Sequence, residues 1–257
     1  MTSIPGFWDT GPHNPVPVEK TWRDFVVHVG GSVIEDLVPQ PRNFQNADFA
    51  FFEEGIIAEL KEIETEFSNS PAFVKGFDEL MHRVVAEDPN WRPALFGGKG
   101  EPPWFTRDYV RLFRPPLTRI LKKANAQIKE TKEHFKIKYN GGVAIVVNDG
   151  FSSLGPDRVR ALMGNILSTS YSSIDCCIYM TVNRYVELRG SNVPRLVWAP
   201  MYSERASDGL VAFVNTLGEK WFDYIQTIIG RFSIGKDEYQ AASDAPLIGA
   251  RSIVLPR

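Results

Sequence analysis

The feature that most constrains the fold lies in the second half of the chain. GGVAIVVN (141–148) is followed by GPDRVRALMGNILS (155–168) with helical spacing, and then by IDCCIYMTVN (174–183). Short, nearly continuous apolar runs bounded by turn residues read as strands. Their alternation with helices predicts an α/β architecture, a sheet partly covered on both faces. PRLVWAPMY (194–202) adds a strand, and a terminal helix falls within SDGLVAFVNTLGEKWFDYIQTIIG (207–230).

The first half is punctuated by proline. Pro5, Pro12, Pro15 and Pro17 keep the start irregular, and WRDFVVHVGGSVIEDLV (22–38) supplies the first ordered elements. These are a helix, or a strand and a short helix, with Glu35 near the end. Ser70 as N-cap and Pro71 in the first turn open a helix whose Phe73, Phe77, Leu80, Met81 and Val84 form a core-facing stripe. Residues 89–116, rich in Pro, Gly and aromatics, read as a long loop, and a second long helix runs from about 116 to 135. The expectation is one domain over 1–257 with an inserted helical and loop region at about 65–115.

At 257 residues such a chain buries a sizeable core without disulfides or structural metal. Its 29 basic and 31 acidic residues do not announce a polyanion partner, so any basic surface is local. No run approaches the roughly 18 apolar residues of a membrane span. The opening MTSIPGFWDTGPHNPVPVEK lacks the pattern of a signal peptide, so a cytoplasmic protein is expected. The two cysteines, Cys176 and Cys177, are adjacent in a strand, point to opposite faces, and read as core thiols.

The segment ADFAFFEEGIIAELKEIE (47–64) admits two readings. As a helix it places Ile56, Ile57, Leu60, Ile63 and Phe67 on one stripe, made of good helix formers. As two strands it puts Asp48, Ala50 and Phe52 on one face and Ile57, Glu59, Lys61 and Ile63 on one face of the next. A two-residue turn at Glu53-Glu54 sets Asp48 opposite Glu59; a turn at Glu54-Gly55 sets it opposite Lys61, with Glu59 diagonal.

An aspartate in an alternating apolar segment, followed after about ten residues and a turn by Glu59-Leu60-Lys61, resembles the PD-(D/E)XK nuclease superfamily. Asp48 matches the motif's aspartate, Glu59 its second acid and Lys61 its lysine. Glu35 corresponds to an acid often contributed by the first helix, and Ala47 stands where the motif usually has proline. The resemblance implies a restriction-endonuclease-like core, a mixed sheet flanked by helices with helical additions. It also implies Mg²⁺-dependent cleavage of nucleic acid, DNA in the first instance, with Mn²⁺ as a substitute. Asp48, Glu59, the Leu60 carbonyl and Glu35 would be metal ligands and Lys61 the catalytic cation. Two carboxylates suit a hard octahedral cation, which clamps a phosphate and activates water. A structural salt bridge among Asp48, Glu59 and Lys61 accounts for the same residues.

Residues 106–138 hold ten cations, Arg107, Arg111, Arg114, Arg119, Lys122, Lys123, Lys129, Lys132, Lys136 and Lys138, against three acids. With Trp104, Phe105, Tyr109 and Phe113 interspersed, this suits phosphate contacts and base stacking. Arg119, Lys122 and Lys123 are the expected nucleic-acid contacts. The family's helix after E-x-K often adds a Lys or Gln to the site, which nominates Lys123 or Gln127. A homodimer is compatible with the family, and no membrane partner is expected. The alternative function is a non-catalytic nucleic-acid-binding or protein-interaction module on the same fold. The four histidines are scattered without metal-ligand spacing, and Asn148-Asp149-Gly150 reads as a turn.

Overall fold

The computed structural model describes residues 13–39, 41, 43–136, 141–187, 194–232 and 251–253. Pro5, Pro12 and Lys138 lie outside them. The chain opens with α1 (Val18–His28), β1 (Ser32–Val33) and the four-residue α2 (Ile34–Leu37), which carries Glu35. There follow β2 (Phe49–Phe51), β3 (Ile56–Ile63), α3 (Pro71–Glu87), α4 (Phe105–Arg111) and α5 (Arg114–Phe135). Then come β4 (Gly141–Asn148), α6 (Pro156–Ser170), β5 (Cys176–Met180), β6 (Tyr185–Glu187), β7 (Pro194–Arg195), β8 (Trp198–Tyr202), α7 (Asp208–Ile229) and β9 (Arg251–Ile253).

The fold is α/β. Six strands form a mixed sheet in the order β1-β2-β3-β4-β5-β8, with β3, β4 and β5 parallel and the outer pairings antiparallel. A second sheet joins β7, β6 and β9. Every residue of β4 and β5 is buried, as expected of central strands covered on both sides. Leu117, Leu121, Ala124 and Ile128 of α5, with Val159, Met163 and Ile166 of α6, cover one face. Trp22 and Phe25 of α1, with Val214, Trp221 and Ile225 of α7, cover the other. Trp22 stacks on Trp221 with ring centroids 4.5 Å apart and 9° between planes, locking α1 to α7. Cys176 and Cys177 are buried on opposite faces.

Three expectations need correction. PRLVWAPMY is not one strand: it divides into β7 and β8 of different sheets, with Leu196 and Val197 between them. The Val197 N–H donates to the Thr181 hydroxyl at 3.0 Å and its C=O accepts from the Thr181 N–H at 3.2 Å, turning the chain from one sheet to the other. Pro200 is tolerated because β8 is an edge strand. The loop expected at 89–116 contains α4, and the stripe of α3 packs on that helix, so that of its five residues only Val84 is fully buried. Of the aromatics foreseen as stacking platforms, Phe113 is internal and Trp104, Phe105 and Tyr109 are half-buried. Tyr109 and Phe113 pack with Phe73, and Phe113 is fully buried.

The Asn148-Asp149-Gly150 turn is structural. The Asn148 side chain exchanges hydrogen bonds with the Phe151 backbone at 2.9 Å and donates to the Tyr179 hydroxyl at 3.0 Å. Asp149 accepts from the Val182 and Asn183 N–H groups at 3.0 and 2.9 Å. A side chain at Gly150 would overlap the Glu64 backbone, its Cβ falling 1.9 Å from a carbonyl carbon. No helix among the described residues is long and apolar enough to cross a membrane.

Candidate functional site

Segment 47–64 folds as a hairpin. Phe49 pairs with Ala58, Ala50 with Ile57 and Phe51 with Ile56, which sets Asp48 across from Glu59. The turn is longer than two residues but keeps that parity. Phe52 to Gly55 form it, with the Gly55 N–H donating to the Phe52 carbonyl at 3.2 Å and Gly55 at φ +67°, a conformation glycine adopts without strain. Lys61, two residues after Glu59, lies on the same face.

The two carboxylates take over where the strand ladder stops. The Asp48 N–H donates to Glu59 Oε2 at 3.1 Å, the Leu60 N–H donates to Asp48 Oδ2 at 2.8 Å, and Lys61 Nζ forms an ion pair with Glu59 Oε1. The Asp48 carbonyl accepts from the Ile34 N–H at 2.9 Å, tying β2 to α2. Glu59 is wholly buried. Burial, then repulsion from Asp48, pushes its carboxyl up to about 8 against the pull of Lys61. Burial also raises Asp48, opposed by the Leu60 N–H and by Lys61.

The approach to Asp48 is held by α5 through three consecutive contacts. The Gln45 N–H donates to Glu130 at 2.6 Å, the Asn46 carbonyl accepts from the Gln127 amide at 2.9 Å, and the Ala47 N–H donates to the buried Thr131 hydroxyl at 2.7 Å. Proline at 47 would have no N–H to give to Thr131.

A pocket of about 260 Å³ opens beside Asp48. Its wall includes Glu19 and Arg23 of α1, Glu35 of α2, Asn46, and Gln127 of α5. The structure therefore brings Asp48, Glu35 and Gln127 together, with Glu59 and Lys61 adjoining through Asp48. Glu35 is on α2, not on the first helix, and is ion-paired with Arg23 at 2.6 Å; Arg23 also reaches Asp36 at 3.2 Å. Glu19 is the first-helix acid of this pocket, which the sequence reading missed by leaving residue 19 in the proline-rich start. Its signal was an acid in the first turn after Pro17, a favoured helix-start pattern. Arg119, Lys122 and Lys123 are exposed on α5 and outside the pocket wall.

As a donor set for a hard divalent cation, Asp48 and Glu59 fit in kind: two carboxylates side by side, whose burial favours the neutral forms and which a bound cation would draw back to the charged ones. Among the described residues no group of three His, Cys, Asp or Glu side chains converges in metal-holding geometry, so the remaining ligands of such an ion would be backbone oxygen and water. Comparison of the chain with protein-family models, with curated proteins and with solved structures gives no match.

Proposed function

We propose that the chain is a metal-dependent phosphodiesterase of the PD-(D/E)XK kind that cleaves nucleic acid, DNA in the first instance, within the cytoplasm. The observation that carries this reading is the register of the hairpin. Asp48 and Glu59 face each other across adjacent antiparallel strands with Lys61 on the same face, beside a pocket walled by Glu19, Glu35 and Gln127.

Asp48 and Glu59 would hold Mg²⁺, or Mn²⁺ in its place, with the Leu60 carbonyl and water as further oxygens, while Glu35 and Glu19 line the pocket beside Asp48. Such a cation, when bound, neutralises phosphate charge and makes water a stronger nucleophile. Lys61 orients that water and offsets charge developing on the phosphate. Gln127 fixes the backbone before Asp48 and so sets the position of the carboxylate. Arg119, Lys122 and Lys123 bind backbone phosphates that flank the scissile one.

The test is cleavage of labelled single- and double-stranded DNA and RNA with Mg²⁺ or Mn²⁺, with EDTA and Glu59→Gln as controls. The Gln oxygen can still accept the Asp48 N–H, while its uncharged NH2 replaces the oxygen that pairs with Lys61, so the donor set is broken and circular dichroism checks that folding is retained. Metal-dependent cutting that disappears in Glu59→Gln supports the reading, and equal cutting by both proteins refutes it.

A second reading, a non-catalytic nucleic-acid-binding module, is favoured by one observation. Asp48 and Glu59 each accept a backbone N–H across the hairpin, and Glu59 is ion-paired with Lys61, so both carboxylates already serve the fold. Salt-sensitive binding without metal-dependent cutting would select it.

A further inference from the structure

The region between β3 and α5 carries groups that neither the core nor the Asp48 pocket uses. Asp108 of α4 accepts from three arginines: Arg107 Nε at 3.0 Å, and Arg83 and Arg111 Nη1 at 3.3 Å each. Arg83 is held further by Glu87 at 3.0 Å and lies over the Trp104 ring at 3.8 Å, while Trp104 Nε1 donates to Glu87 at 2.8 Å. Two carboxylates thus organise three guanidinium groups, an excess of cation. The arginine side chains remain 49, 62 and 66% exposed. Each guanidinium has five donors and spends one or two on these carboxylates, so donors remain for an external anion.

The same inserted region exposes apolar surface. The turn Ala94–Phe96 lifts Leu95 and Phe96 into solvent at 88 and 71% exposure, the highest of the large apolar residues described. The turn is built rather than slack. The N–H groups of Phe96 and Gly98 donate to the Pro93 carbonyl at 2.9 and 3.1 Å, and Trp91 Nε1 donates to the Gly100 carbonyl at 2.6 Å. An ordered apolar tip on the same insertion as an arginine cluster matches a ligand that offers both phosphates and flat apolar faces.

We propose that this insertion is a second nucleic-acid contact. Arg83, Arg107 and Arg111 take backbone phosphates, and Phe96, flanked by Leu95, stacks on an unpaired base. The choice of occupant rests on the nucleic-acid reading above and on charge complementarity. The cations continue along the chain from Arg111 at the end of α4 to Arg119, Lys122 and Lys123 on α5.

The experiment is equilibrium binding of the full chain, in EDTA, to single-stranded and duplex DNA oligonucleotides containing 2-aminopurine, over a range of salt concentration. Phe96→Ser should weaken single-strand binding about tenfold and restore 2-aminopurine fluorescence, leaving the salt dependence unchanged. The double variant Arg107→Ala/Arg111→Ala should lower the slope of log K against log salt by about 1.4, the value for two single-strand phosphate contacts. Both changes are on exposed side chains, and circular dichroism checks that folding is retained.

Unaltered binding in both variants overturns the proposal, as does the absence of nucleic-acid binding by the unsubstituted protein. Vesicles containing phosphatidylserine are the competing probe: binding to them that is lost in Phe96→Ser, with DNA binding unchanged, assigns the tip to a lipid surface instead. Impaired DNA binding in these variants, with no Mg²⁺-dependent cleavage by the unsubstituted protein, leaves this surface standing and removes the nuclease. Cleavage with unaltered binding does the reverse.

Discussion

Ala47 shows how one backbone group fixes where a strand begins. Its N–H fills the hydroxyl of Thr131, which is fully buried, and that bond helps set where Asp48 begins the strand. Ala47→Pro should therefore destabilise the fold by about 1–3 kcal/mol, the usual cost of stranding a buried polar group, seen as a lower urea midpoint. Glu35 and Glu19 separate in a similar way. Glu35 is about half exposed and already paired with Arg23, whereas Glu19 shares the pocket with Asp48 and forms no ion pair among the described residues. Glu19→Gln should slow Mg²⁺-dependent cleavage roughly tenfold or more, the scale seen for residues that support a metal site. Glu35→Gln should slow it less, and parallel assays of the two variants decide the order.

At the scale of elements, two devices hold the site's supports in place. Glu66, just after β3, gathers the N–H groups of Ser152 and Ser153 at 2.8 and 3.1 Å and the Ser152 hydroxyl at 2.9 Å, binding the end of β3 to the segment before α6. Burial works to raise its carboxyl, but these hydrogen bonds and the Ser68 N–H outweigh it and hold the carboxyl below its ordinary value of 4.5. A depressed folded-state value means the stabilisation is present above pH 4.5 and is lost as pH falls through the lower folded value. Glu66→Gln should accordingly flatten the acid side of the stability profile, measured by thermal melts from neutral to acidic pH. On the opposite face, Trp221 is fully buried against Trp22 and Phe25. Trp221→Ala should cost about 3–5 kcal/mol, because the cavity cannot close without moving α1 against α7.

For the whole molecule, the balance of charge hides a local asymmetry. The chain carries slightly more acid than base, yet Arg119, Lys122 and Lys123 stand exposed on one helix that also grips the approach to Asp48. If duplex phosphates lie along α5, Lys122→Ala/Lys123→Ala should reduce the slope of log K against log salt by about 1.8, with cleavage at saturating substrate little changed. A loss of cleavage at saturation would instead place one of these lysines against the reacting phosphate.

The sequence by itself determined the layered α/β class, the central strands β4 and β5, the N-cap of α3, the start of α6, and the residues of the hairpin. Each depends on local properties: apolar runs, proline and glycine at boundaries, and the period of two that puts Glu59 and Lys61 on one face. It left the conformation of 47–64 open, because an apolar stretch with interspersed charge satisfies both a helix and a hairpin. Only tertiary pairing settled that, since β3 gains a parallel partner in β4 about eighty-five residues later along its whole length. Thr131 and Glu130 were equally illegible, and so was the pocket beside Asp48 that Glu19 of α1 shares. Their roles arise from α1 and α5 packing beside the hairpin, and no local pattern encodes which distant backbone group a side chain will meet. The insertion followed the same rule: its aromatics read as exposed stacking surface in the chain, but packing of α3 on α4 buried Phe113, half-buried Trp104, Phe105 and Tyr109, and left Leu95 and Phe96 outside.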